Sequence, residues 1–245
     1  MKQAVINGRW NMWLPDNIAD WDAITGDYSA RKGWEFPRFE SFRQRLHYGD
    51  VFFDIGAEHG WISAVLAREF VGARSMVLFE PSSEFWVNIR RIWTYNGLDE
   101  PLGCYNGFVD VIESGNQPQH IDWPAAADVA AAEVPGMAYR SLLNGAGMIP
   151  TTSVDAFVSR WGITPKALNI DVEGAELRVL AGAAAMLTHP SSDLESVWVS
   201  VHPDLMQNFG QTPDDLFMFM DNCGWAAQHL GSDHEEHYLF VRDDF

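Results

Sequence analysis

Residues 50–80 read DVFFDIGAEHGWISAVLAREFVGARSMVLFE, and their punctuation decides the fold. Val51-Phe52-Phe53 is a short apolar run that ends at Asp54 and the turn Ile55-Gly56-Ala57-Glu58-His59-Gly60. A helix over 61–67 follows, and residues 75–79 (SMVLF) form a second apolar run of strand length, closed by Glu80-Pro81. Buried strands alternating with helices imply a parallel sheet joined by right-handed crossovers. Gly56 lets the chain bend sharply, and Gly60 permits close approach where the helix starts.

The same alternation continues downstream. The pattern predicts a helix over 84–95, a strand within 102–111 (weakened by Gly103 and Gly107), a helix over 153–161 and a strand over 167–170. Asp171-Val172-Glu173-Gly174 then leads into a helix over 175–187, and a fifth strand over 196–201 ends at His202-Pro203. A helix over 214–223 and a closing antiparallel hairpin, 225–230 with 238–241, complete the chain. Residues 115–147 are rich in Pro, Ala, Gly and Asn and read as a loop insertion, within which 125–132 fits a turn or two of helix. Residues 1–49 read as an irregular aromatic arm followed by a helix over 37–46, because Phe39, Phe42 and Leu46 recur at helical spacing. That arm is either a packed cap on the core or a lid whose aromatics line a substrate pocket. The expectation is a Rossmann-like, doubly wound α/β domain over 50–245.

Composition narrows the partners. The 245 residues are 47% hydrophobic and 20% charged, enough for one large core. There is no apolar run of the roughly 18 residues that a membrane span needs. The opening MKQAVINGRWNMW lacks an apolar signal region. Cys104 and Cys223 lie far apart, so a reducing, cytoplasmic setting is expected. The net charge of −18 repels a phosphate backbone. The only basic stripes, Arg38 to Arg45 and Arg90-Arg91, read as solvated helix faces. Nucleic acid is thus a poor partner, no membrane is expected, and oligomerisation, including a homo-oligomer, stays open.

In open α/β sheets a ligand binds beyond the carboxyl ends of the strands, at the point where strand order reverses. Glu80 closes the second strand 20 residues beyond Gly60, where a carboxylate grips ribose hydroxyls. A dinucleotide turn would bring bare backbone up to a pyrophosphate. Here Asp54 stands before only two glycines, and it would repel that group. The ammonium and sulfonium of S-adenosylmethionine would be attracted. The plain alternative is a structural turn with Asp54 as a helix cap.

The segments GDVFFDIGAEHGW, VLFEPSSEFWVNI, TTSVDAFVSRWGI and above all ALNIDVEGAELRVLAGA resemble the FkbM-type family of class I methyltransferases. The resemblance spans Arg38 to His202. It departs at Glu58, where the family usually has Asn, and at His202-Pro203, where a Glu often stands. It implies a seven-stranded Rossmann-like sheet and methyl transfer from S-adenosylmethionine to a hydroxyl of a small molecule or sugar. By the same resemblance Asp54, Gly56, Ala57 and Gly60 would line the methionine part of the donor, with Glu58 beside them. Glu80, next to Pro81, would bind the ribose, Asp110 would sit near the adenine, and Asp171 near the reacting methyl.

Methyl transfer from a sulfonium is an in-line displacement, which gains most from holding nucleophile, methyl and sulfur collinear. A hydroxyl nucleophile also benefits from a base, and Asp171, Glu173, Glu176 and His202 are the candidates, with Asp171, Glu173 and His202 foremost. Clustered carboxylates raise one another's pKa. Glu173 and Glu176 are also spaced as N-cap and N3 of a helix. The carboxylates could hold Mg²⁺, although nothing in the spacing demands a metal. His229 precedes the string His234-Glu235-Glu236-His237, whose histidines lack the spacing of a zinc helix, and the stretch reads as a solvated hairpin loop. The two cysteines read as ordinary core or loop residues. After the fourth strand the chain lacks the Pro-Pro-aromatic turn with which DNA methyltransferases clamp a flipped base. Two other classes stay open: a nicotinamide-dependent oxidoreductase, and a non-catalytic binding module on the same fold.

Overall fold

The structure, a computed structural model of the chain, describes residues 1–16, 35–124, 149–232 and 235–242. An N-terminal hairpin, β1 (Lys2–Ile6) and β2 (Trp10–Leu14), is followed by α1 (Phe36–Arg45). Then come β3 (Phe52–Ile55), α2 (Trp61–Leu66), β4 (Met76–Phe79), α3 (Ser83–Tyr95), β5 (Gly103–Tyr105) and β6 (Phe108–Val109). The second half runs β7 (Thr151–Thr152), α4 (Val154–Trp161), β8 (Ala167–Ile170), α5 (Glu176–Ala181) and α6 (Ala184–Thr188). It continues with β9 (Ser196–Val201), α7 (Pro203–Met206), α8 (Pro213–Asn222), β10 (Trp225–Ser232) and β11 (Glu236–Arg242).

Seven strands form one sheet in the order β10-β11-β9-β8-β3-β4-β5. The fold is therefore α/β, doubly wound and mostly parallel. From β3 the chain steps outward to β4 and β5, and then returns to the other side of β3 with β8 and β9, so the order reverses between β3 and β8. β11 runs antiparallel between β9 and β10, which places the start of β11 beside the end of β9.

Alternation along each strand divides the core. Phe52, Leu78, Ala167, Trp198 and Leu239 face one layer, with α1, α2, α3 and the β1–β2 hairpin. Phe53, Ile55, Leu168, Ile170, Val197 and Val199 face the other, under α4, α5, α6 and α8. α1 is pinned by Phe42, whose ring sits 4.7 Å from that of Trp198, and by the Trp198 indole, which donates to Ser41 Oγ at 2.7 Å. Burying Phe39 and Phe42 contributes roughly 1.5–3 kcal/mol each, enough to hold the polar residues of α1 against the sheet.

Several boundaries differ from expectation for physical reasons. The first 14 residues are a hairpin and not an irregular arm: Asn7 and Gly8 turn with φ of 50° and 62° between alternately buried strands. Asn96, at the end of α3, bonds both the N–H and the C=O of Trp13 and so ties this hairpin down. The third strand splits, because β6 leaves the main sheet to pair with β7. The helix expected over 175–187 breaks at Gly182, where a Cβ would strike the carbonyl oxygen of Asp110. The short helix expected over 125–132 falls outside the described residues. Among the described residues no helix is long and apolar enough to cross a membrane.

Candidate functional site

At the switch point the ends of β3 and β8 touch. The Asp171 N–H donates to Ile55 O at 2.9 Å, and a Cβ on Gly56 (φ 89°) would collide with the Asp171 carbonyl oxygen. Gly56 and Ala57 both donate to Phe79 O at 3.0 Å, joining the turn to β4. Gly60 (φ 76°) starts α2 against Ile89, which a Cβ would approach to 2.8 Å. Glu58 sits in the left-handed region at φ 47°, which Asn tolerates better than Glu, and Asn is what the FkbM-type pattern has there.

Glu80 is buried between two turns. Its Oε2 accepts the Glu58 N–H at 2.9 Å and its Oε1 accepts the Ser82 N–H at 2.7 Å. Burial pushes its pKa up to about 8, although both N–H groups pull the other way. Each carboxylate oxygen keeps a second lone pair for a further donor. Pro81 follows it, half-buried, at the turn into α3.

Asp54 and Asp110 are turned inward. Asp54 accepts from the Ser63 hydroxyl and, at 2.7 Å, from Asn169 Nδ2, and burial raises its pKa. With both oxygens engaged inside the fold, it braces β3 against β8. Asp110 is wholly enclosed, forked by Arg178 at 3.1 Å and 2.8 Å. A carboxylate so paired reaches an adenine only by abandoning its guanidinium, so Asp110 reads as a structural ion pair.

The other half of the edge is a side-chain network. Asp171, just past β8, accepts from Ser200 Oγ at 3.0 Å, and the same oxygen lies 3.4 Å from Arg38 Nη1. Arg38 also pairs with Glu35 at 2.6 Å and donates to Asn169 Oδ1 at 2.5 Å. Arg38 is only 1% exposed, so the solvated face expected for it is wrong: the buried phenylalanines of α1 turn it onto the sheet. Arg43, by contrast, pairs with Glu40 on the exposed side, as a solvated stripe should.

His202, past the end of β9 and 8% exposed, is flanked by three carboxylates. Its Nδ1 lies 2.7 Å from Glu176 Oε1, and its Nε2 is 2.7 Å from Glu235 Oε2 and 3.7 Å from Asp171 Oδ1. Burial lowers the pKa of the imidazolium, but Glu176, Glu235 and Asp171 together raise it to about 11. Glu176 also accepts the Gly174 N–H at 2.8 Å, so it closes the turn before α5. Helix α5 starts at Glu176 itself, which removes Glu173 from the N-cap position expected for it. Glu173 is instead the left-handed residue of the turn (φ 54°), half-buried, with its pKa raised by burial.

Glu235 and His237 are the residues that sequence reasoning misplaced. They are 6% and 3% exposed and not solvated, because antiparallel β11 begins at the carboxyl edge and its register sets His237 opposite Ser200. The signal lay in the alternation of 235–239 itself, where Glu235, His237 and Leu239 are buried. His229 and Glu236, paired at 2.8 Å on the exposed side, do form the solvated part of the hairpin. His234 lies outside the described residues. Burial raises the thiol pKa of Cys104 and of Cys223, in keeping with plain packing roles.

No family model matches the chain, and no curated protein does either, so the FkbM-type reading is a resemblance of the quoted motifs alone. Solved structures similar to it include a precorrin-6y C5,15-methyltransferase from Geobacter metallireducens, at 9% identity and TM-score 0.49, with 95% of each chain covered. A methyltransferase from Pyrococcus furiosus matches at 14% identity and TM-score 0.44, covering 84% of this chain and 83% of that one. A magnesium protoporphyrin IX methyltransferase from Synechocystis, crystallised with S-adenosylmethionine, matches at 10% identity and TM-score 0.43, covering 84% and 76%.

Proposed function

We propose that the chain is an S-adenosylmethionine-dependent methyltransferase acting on a hydroxyl of a small molecule or glycan. The observation that carries this reading is the charge of the switch-point edge. Among the described residues Glu35, Asp171, Glu176 and Glu235 gather there around Arg38 and His202, with His237 beside Glu35 and Glu235. A pyrophosphate would be repelled by such an edge, while a sulfonium with an ammonium offsets its excess acid.

In this reading Glu80 accepts the ribose hydroxyls through its remaining lone pairs, and the 56–60 turn holds the methionine part. Asp171 faces the methyl. One of its oxygens is held by Ser200 and Arg38, which leaves Oδ1 to orient or deprotonate the acceptor. His202, cationic while its pKa stands near 11, positions these carboxylates and is unsuited to accept a proton. Asp54 acts from behind by fixing Asn169.

Calorimetric titration with S-adenosylhomocysteine, S-adenosylmethionine and NAD tests the reading. Saturable binding of the two adenosyl ligands is expected. Binding of NAD alone overturns it.

A further inference from the structure

We propose that Asp171, His202 and Glu235 together bind a divalent first-row metal ion at the mouth of this edge. The three offer donor atoms that all lie within 4.8 Å of one another. His202 Nε2 stands 2.7 Å from Glu235 Oε2 and 3.7 Å from Asp171 Oδ1. Donors each about 2.1 Å from one ion lie about 3.0 Å apart at a right angle and about 3.4 Å apart at the tetrahedral angle. The observed separations bracket those values.

A second observation points the same way. His202 is more than nine-tenths buried, yet its Nε2 makes no aligned hydrogen bond, even to the carboxylate beside it. An N–H group that misses the carboxylate 2.7 Å away stands where a divalent ion would replace its proton and join both atoms. The surrounding bonds fit as well. Glu176 takes the Nδ1 side of His202 at 2.7 Å, so the proton that an ion would displace is the one on Nε2, which then serves as the ligand. Ser200 Oγ donates to the far oxygen of Asp171, which leaves Oδ1 facing the cluster.

Among the described residues a second set, Glu35, Glu235 and His237, meets the same distance criterion. There Glu35 is committed to Arg38 at 2.6 Å, so the set with Asp171 is the better one. Mixed imidazole and carboxylate donors suit Mn²⁺, Fe²⁺ or Zn²⁺. Three protein ligands leave open positions, and the Asp171 side chain, 21% exposed, gives them access to solvent. On the methyltransferase reading, on which this one clause rests, those positions would seat an acceptor with two adjacent oxygens, and Asp171 Oδ1 would then orient it through the ion and not as a base.

The test is calorimetric titration of the chelator-treated chain with Mn²⁺ and, separately, with Zn²⁺. One equivalent of ion per chain is expected. Glu235→Gln should abolish saturable binding, and Glu176→Gln, which removes the carboxylate beside Nδ1, should weaken it by about 10–100-fold. Glu236→Gln, at the exposed neighbour, should leave it unchanged. Circular dichroism checks that each variant is folded, and Asp171→Asn, at the more exposed ligand, replaces Glu235→Gln if that variant does not fold. A native chain that takes up no ion overturns the site, and so does a ligand variant that binds as the native chain does. S-Adenosylhomocysteine is titrated into the same samples. Its binding without ion uptake overturns the metal site alone, and ion uptake without its binding overturns the methyltransferase reading alone.

Discussion

Two halves of one sheet edge are built by different means. The half over β3 and β4 is made of backbone: Gly56, Gly60 and a left-handed Glu58, with Glu80 gathering N–H groups from both turns. The half over β8, β9 and β11 is made of side chains, with α1, three strand ends and the start of α5 each adding a charged residue. A backbone site is a local property of some 30 contiguous residues. A side-chain site needs distant segments to be packed first, and it fails if any one of them is misplaced.

The largest expected effect breaks the side-chain half. Arg38→Met leaves Glu35 buried without its cation, and removing one partner of a buried pair costs about 3–5 kcal/mol. Chemical denaturation should show that loss. An Arg38→Met protein as stable as the native chain would show that α1 adds nothing to the network.

Gly56→Ala tests where the halves meet. A methyl group driven into the Asp171 carbonyl, at a positive-φ position, should destabilise the fold by about 3 kcal/mol, read as a fall in Tm. A smaller loss would mean that the two strand ends separate easily.

Glu80→Gln sharpens the backbone half. It should weaken S-adenosylhomocysteine binding by about 1–3 kcal/mol while leaving metal uptake intact. The sign of the pH dependence follows from the raised pKa. Native Glu80 is neutral below about 8, and ribose hydroxyls donate better to its ionised form, so affinity should rise as pH climbs through about 8 and this rise should vanish in Glu80→Gln. Stability runs the opposite way. Between the ordinary carboxyl value of 4.5 and about 8 the native state holds the proton that the unfolded chain has lost, so this residue's contribution falls as pH rises across that window.

The smallest effect is the control. His229→Ala removes an exposed pair with Glu236 and should change stability by less than about 0.5 kcal/mol. A larger change would mean that the solvated end of the hairpin is coupled to Glu235.

Most of the frame was legible because hydrophobic runs and their breakpoints are local. The runs at 51–53, 75–79, 167–170 and 196–201 all lie in or at the ends of strands of the sheet, with Gly56 at its switch point and Glu80 at the end of the next strand. The hairpin at Asn7-Gly8 is just as local, since residues 2–6 and 10–14 pair across a turn with two left-handed residues. Arg38 and Glu235 were not legible. A charge in a polar neighbourhood looks solvated until its packing is known.

By itself, then, the sequence determined the alternation of strands and helices, the sharp turn after the first strand of the sheet and the carboxylate that ends the next. These depend on residues close along the chain and on backbone stereochemistry. Tertiary structure alone decided that Asp54 and Asp110 face inward and that Arg38 reaches from α1 onto the sheet. It also decided that Glu235 arrives beside His202, because one antiparallel strand brings residues more than 30 positions apart to a single point where water is excluded and charges must find partners.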